Sequence, residues 1–117
     1  MADDQEYKET VRRWLEEAKR TGKASGYEAK RSSSRYSWNC AMELVVDGDG
    51  LNDDIMYVYT RDVSATGVGL TCRRNLPDGT RVVIRRGRTE PWIPARIAHS
   101  TESVGTHKIG IELQFDF

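Results

Sequence analysis

From Tyr36 to the C-terminus the chain changes sides with every residue, and that period of two decides what it can fold into. Its last segment shows this most clearly. Ile109, Ile111, Leu113 and Phe115 fall on one side of an extended backbone, and Lys108, Gly110, Glu112 and Gln114 on the other. A helix would scatter those residues around its circumference, so the segment from His107 to Phe115 reads as a strand with one buried face. The run from Tyr36 to Val46 alternates likewise, with Tyr36, Trp38, Cys40, Met42, Leu44 and Val46 inward. Further strands are expected at 55–61, 66–72, 81–86 and 92–100. Asp47-Gly48-Asp49-Gly50 and Pro77-Asp78-Gly79 supply turns between them. Six short strands punctuated by turns indicate an all-β barrel or sandwich. Periodicity does not choose between the two.

The N-terminus has a different period. Tyr7, Val11, Trp14, Leu15 and Ala18 form one stripe of an amphipathic helix over residues 4–20. Asp3 with Glu6 marks its start, and Lys19-Arg20 followed by Gly22 marks its end. A single narrow stripe persists as a helix only when packed on something, and the chain's own barrel is the nearest surface. Between helix and strands lies a Gly-, Ser-, Lys- and Arg-rich stretch that reads as a flexible linker. The expected organisation is therefore a helix at 1–22, a linker at 23–35 and a barrel-like domain at 36–117.

With 117 residues, one domain with a modest core is expected. The formal net charge is zero, which argues against long-range steering toward nucleic acid. The charge is segregated, however: residues 23–40 and 61–90 are net positive and residues 41–60 net negative. Cys40 and Cys72 have neither metal spacing nor the pattern of a disulfide framework, and read as buried free thiols. No leader-like or membrane-spanning run is present, so a cytoplasmic location is expected.

Two polar clusters carry the functional signal. Arg31-Ser32-Ser33-Ser34-Arg35 offers two guanidiniums ahead of the first strand. Asp62-Val63-Ser64-Ala65-Thr66-Gly67 offers a carboxylate, a hydroxyl and a glycine ahead of the third. Arginine pairs bidentately with phosphate or with the O6/N7 edge of guanine, and a carboxylate accepts from guanine N1–H and N2–H. Together they suit a ligand that has both phosphates and guanines.

The order RxxxR, strand, DxSxxG, strand resembles the PilZ domain, a bacterial receptor module for cyclic di-GMP. The resemblance runs from about residue 30 to residue 115 and includes the closing pattern 95–99 and 108–113. It implies a six-stranded antiparallel β-barrel, here preceded by the N-terminal helix, and a non-catalytic receptor with no cofactor. It further implies that Arg31 and Arg35 wrap across the dinucleotide from the linker. Asp62 and Ser64 would read a guanine edge from the barrel surface. Gly67 would allow close backbone approach or a positive φ. Lys30 stands where the family has a basic residue associated with an intercalated ligand dimer, which implies one or two ligand molecules per domain. His99 falls near a base-stacking aromatic of some relatives, against the plain reading of a surface histidine without a role. Arg61 would add a phosphate contact or simply neutralise Asp62. Ligand would order the linker and reposition the helix. With no output domain attached, signalling would pass through a separate protein partner.

Three other readings compete. One is a PilZ-fold adaptor that binds protein and not nucleotide; the intact motifs argue against it. An enzyme is not expected, because His99 and His107 have neither metal spacing nor a nucleophile arrangement around them. A reader of single-stranded RNA would need outward stacking aromatics, for which Tyr57 and Tyr59 are the tempting pair; zero net charge weakens it. The arginines at 73–74 and 85–88 read as solvated strand ends, Trp38 as core and Trp92 as a partly exposed edge residue.

Overall fold

The structure, a computed structural model, describes residues 3–21, 35–46 and 54–115. Helix α1 spans Asp4–Thr21, followed by strands β1 (Tyr36–Ser37), β2 (Ala41–Val46), β3 (Met56–Val63), β4 (Gly67–Cys72), β5 (Arg81–Arg85), β6 (Ile93–Ser103) and β7 (Thr106–Leu113). The antiparallel ladder runs β3-β2-β5-β6-β7-β4 and returns to β3, which closes a six-stranded barrel; β1 adds a short seventh strand on β3. Closure leaves those six strands no open edge. The expected barrel is the one observed. The turn expected at Asp47–Gly50 lies outside the described residues.

Leu44, Val58, Leu70, Ile84, Ile97 and Ile109 fill the interior and are essentially inaccessible. Cys40 and Cys72 are free thiols; Cys72 is buried and Cys40 half-buried, and burial pushes the Cys40 thiol pKa up. Strand boundaries differ from expectation at the last hairpin. Strand β6 runs on to Ser103 and turns through Val104-Gly105, with Gly105 at φ 74°. That ribbon has no buried face beyond Ser100, so alternation gave no sign of it.

The run expected as one strand from Tyr36 to Val46 is broken at 38–40. Tyr36 pairs with Val63 and Ser37 with Asp62, but Ala41 pairs with Tyr59, so one extra residue is accommodated in between. Buried Thr60 takes up the slack. Its hydroxyl donates to Trp38 O and accepts from Cys40 N at 2.9 Å.

Helix α1 starts on Asp3, whose Oδ1 accepts from Glu6 N at 3.0 Å. The predicted stripe packs on the barrel: Val11, Trp14 and Ala18 are fully buried, and Tyr7 and Leu15 pack against the same core. Tyr7 meets Phe115 with ring centroids 5.5 Å apart, and Trp14 meets Trp38 at 5.6 Å. The Trp14 indole donates to Glu90 at 3.0 Å. Glu17 accepts from the Trp38 indole at 2.6 Å and from Arg86 at 2.7 Å. The Trp38 hydrogen bond, reinforced by Arg86 and opposed by partial burial, holds the Glu17 carboxyl below its ordinary pKa. The arginines expected as solvated strand ends are thus partly structural. Arg86 bridges Glu17 and Glu90, while Arg85 pairs with Glu43 at 2.9 Å and lies 4.0 Å from the Trp92 ring centroid. Among the described residues, no helix is long and apolar enough to cross a membrane.

Candidate functional site

Two β-bulges build the site. In β3, Thr60 pairs with Leu70 but Asp62 pairs with Gly69, so Arg61 is the extra residue. In β6, Ile97 pairs with Ile111 but His99 pairs with Gly110, so Ala98 is the extra residue. A bulge puts two consecutive residues opposite one. Arg61 and Asp62 therefore both sit on the outside, as do Ala98 and His99. Between the bulges, Gly69 and Gly110 are paired on adjacent strands β4 and β7. The result is a row of four across the barrel wall: Asp62, Gly69, Gly110 and His99.

The two glycines are the floor, and the flanking side chains fold over them. A β-carbon on Gly69 would stand 2.5 Å from Asp62 Oδ1 and 3.2 Å from Arg61 Nη2. A β-carbon on Gly110 would collide with the His99 imidazole. On Gly67 it would stand 2.5 Å from the Ile111 carbonyl oxygen, with Arg35 Nη1 at 3.9 Å. Gly67 is thus required for close backbone approach. The alternative of a positive φ is corrected, since positive φ among the described residues is confined to Gly79 and Gly105. This cover explains why every residue from Gly67 to Leu70 is buried, where alternation alone would leave every second one exposed.

Arg35 joins the two polar clusters. Its Nη2 lies 2.7 Å from Asp62 Oδ1 and its Nε donates to the same oxygen at 3.2 Å. Its Nη1 reaches Ser64 Oγ at 3.4 Å. Both Asp62 contacts fall on Oδ1, so Oδ2 has no hydrogen-bond partner among the described residues. Arg61 lies flat across the wall, donating to Leu70 O and Ile109 O at 3.4 Å each. It is not ion-paired with Asp62; that carboxylate belongs to Arg35.

Ser64 is corrected from an edge reader to a turn former. It is fully buried, its Oγ accepts from Gly67 N at 3.1 Å and Thr66 N at 3.3 Å, and its own N–H donates to Gly67 O. The turn that ends β3 wraps around its hydroxyl, so Ser64 lies beneath the surface rather than on it.

These groups line an open cavity of about 240 Å³, with Arg35, Arg61, Asp62, Gly69, His99 and Glu112 among its lining residues. Its floor is glycine backbone, and the groups that fold over and beside it are planar: two guanidiniums, an imidazole and a carboxylate. A flat heterocycle suits that shape, and a small anion suits the arginines. The structure brings together Arg35, Asp62, Gly67 and His99, with buried Ser64 beneath them. Arg31 and Lys30 lie outside the described residues. Sequence reasoning missed Gly69 and Gly110 as floor residues, and Glu112, which pairs with Arg96 at 3.2 Å on the rim. The outward glycines facing each other across one ladder were the signal that could have found them. Among the described residues no group of His, Cys, Asp or Glu is placed to hold a metal ion. No family model matches the chain, and no curated protein matches it.

Proposed function

We propose that the chain is a non-catalytic receptor for cyclic di-GMP, with the glycine-floored cavity as the seat of one guanine. The observation that carries this reading is the convergence of the two sequence clusters: Arg35 from the first reaches Asp62 and Ser64 of the second beside the glycine floor. A 240 Å³ cavity is below the roughly 300–1,000 Å³ of sites that enclose a drug-sized ligand. One base fits, with the rest of the dinucleotide extending outward. Asp62 Oδ2 would accept from guanine N1–H or the N2 amino group, which adenine lacks. Arg35, already oriented by Asp62, presents the remaining guanidinium edge to a phosphate. Arg61 and His99 supply flat faces beside the base. Arg31 would add a second guanidinium, and Lys30 would favour a second ligand molecule.

The route to output is short. Arg35 is followed directly by Tyr36, whose ring centroid lies 5.5 Å from Lys19 Nζ of the helix, and Trp38 bonds to Glu17. A pull on Arg35 is thereby felt at the helix seat, and a shifted helix would change what a downstream protein meets. Charged hydrogen bonds contribute about 1.5–3 kcal/mol each. Arg35→Ala should therefore weaken binding roughly ten- to a hundred-fold. Calorimetric titration of the protein and of Arg35→Ala with cyclic di-GMP, against cyclic di-AMP and GTP, tests this. Equal heats for all three ligands, or none, would shift the reading to a protein-binding adaptor of the same fold.

A further inference from the structure

A second surface lies on the outside of β3, toward its start. Tyr57 and Tyr59 are 70% and 65% exposed, far more than any other aromatic residue described. They sit at i and i+2 on one strand, so their rings rise from the same face, from backbone positions about 6.8 Å apart. Tyr59 is flanked by the small side chains of its ladder partners Ala41 and Thr71, which leave its ring uncovered. The surface forms a shallow groove of about 500 Å³ that also takes in Arg73, Arg74 and Thr106. Lys108 pairs with Thr71 and extends the row.

Cations border the rings on the β4 side. Arg73 and Arg74 are exposed, and among the described residues neither forms an ion pair; nor does Lys108. Glu43, opposite Tyr57, is neutralised by Arg85. The zero net charge of the whole chain therefore does not describe this face.

We propose that the Tyr57–Tyr59 face, with Arg73, Arg74 and Lys108, binds single-stranded nucleic acid. Two uncovered rings beside two or three unpaired cations complement a polyanion with stackable bases. The backbone spacing of the two tyrosines is about twice the 3.4 Å repeat of a stacked strand. Consecutive bases thus reach both rings only if the strand is extended and its bases are parted, which excludes a duplex. The face lies apart from the glycine-floored cavity: among the described residues, none lines both.

The test is fluorescence anisotropy of the full chain with a labelled oligouridine of about twelve nucleotides, beside a duplex of the same length. Single-strand binding is expected, weakening roughly 7- to 20-fold from about 50 to 200 mM salt if two or three phosphates are neutralised. Tyr57→Ala and Tyr59→Ala should each cost about 5- to 150-fold. Tyr59→Trp should retain binding, and a matching circular dichroism melt shows that each variant is folded. Arg35→Ala should leave oligouridine binding unchanged and cyclic di-GMP should not displace it, so this surface and the dinucleotide reading fail separately. Absence of binding, equal affinity for the duplex, indifference to both tyrosines, or displacement by cyclic di-GMP would each overturn the proposal. So would an acidic peptide that engages these tyrosines where oligouridine does not.

Discussion

The imidazole of His99 lies over the α-carbon of Gly110 and fills the space a β-carbon there would need. The two residues are ladder partners on β6 and β7, brought face to face by the β6 bulge. Gly110→Ala must displace the ring, which is the free end of a side chain and has room to swing outward. The variant should fold, and its cost should depend on His99. In a double-mutant cycle of Gly110→Ala with His99→Ala, read by urea denaturation, the pair should depart from additivity by at least about 0.5 kcal/mol. Simple additivity would mean that the ring does not rest there.

Thr60 carries the irregular stretch between β1 and β2. Thr60→Val keeps the shape but removes the acceptor for Cys40 N and the donor for Trp38 O. Each backbone group so stranded costs about 1–3 kcal/mol. The urea midpoint should fall with little change in slope, and Thr60→Ser should recover most of the loss. A Thr60→Val midpoint equal to that of the parent would contradict the bulge described.

The helix seat should be acid-sensitive. Glu17 has a folded pKa below its ordinary 4.5 because the Trp38 indole and Arg86 favour its charged form. The unfolded chain therefore binds the proton more readily than the folded one. The stabilisation is complete above the ordinary value and is lost as pH falls through the depressed one. Thermal midpoints measured from pH 7 downward should drop more steeply for the parent than for Glu17→Gln, with the difference confined to the region below about pH 5. Parallel curves would show that Glu17 does not hold the helix.

Much of this was legible in the sequence, for identifiable reasons. The α1 stripe, its Asp3 cap and the inward residues of the barrel strands follow from period and capping chemistry, which are local. Arg35, Asp62 and Gly67 stand out in the sequence by their motif spacing, and the structure brings them together. The bulges at Arg61 and Ala98 were not legible, since a bulge is a mismatch in count between two strands and neither strand shows it alone. For the same reason the break at 38–40 read as continuous strand. Ser64 was assigned to the surface because its chemistry suits a ligand. Only the packed turn reveals that its oxygen is occupied by Gly67 and Thr66 amides.

The most direct test of the central claim is a titration of cyclic di-GMP into ¹⁵N-labelled protein, followed by amide shifts. Saturable changes are expected at Arg35, Asp62, Gly67, Gly69, His99 and Gly110, with weaker ones along Tyr36 and Trp38 toward Glu17, and none of these with cyclic di-AMP. An unchanged spectrum at saturating cyclic di-GMP, or changes that avoid the glycine floor, would contradict that claim.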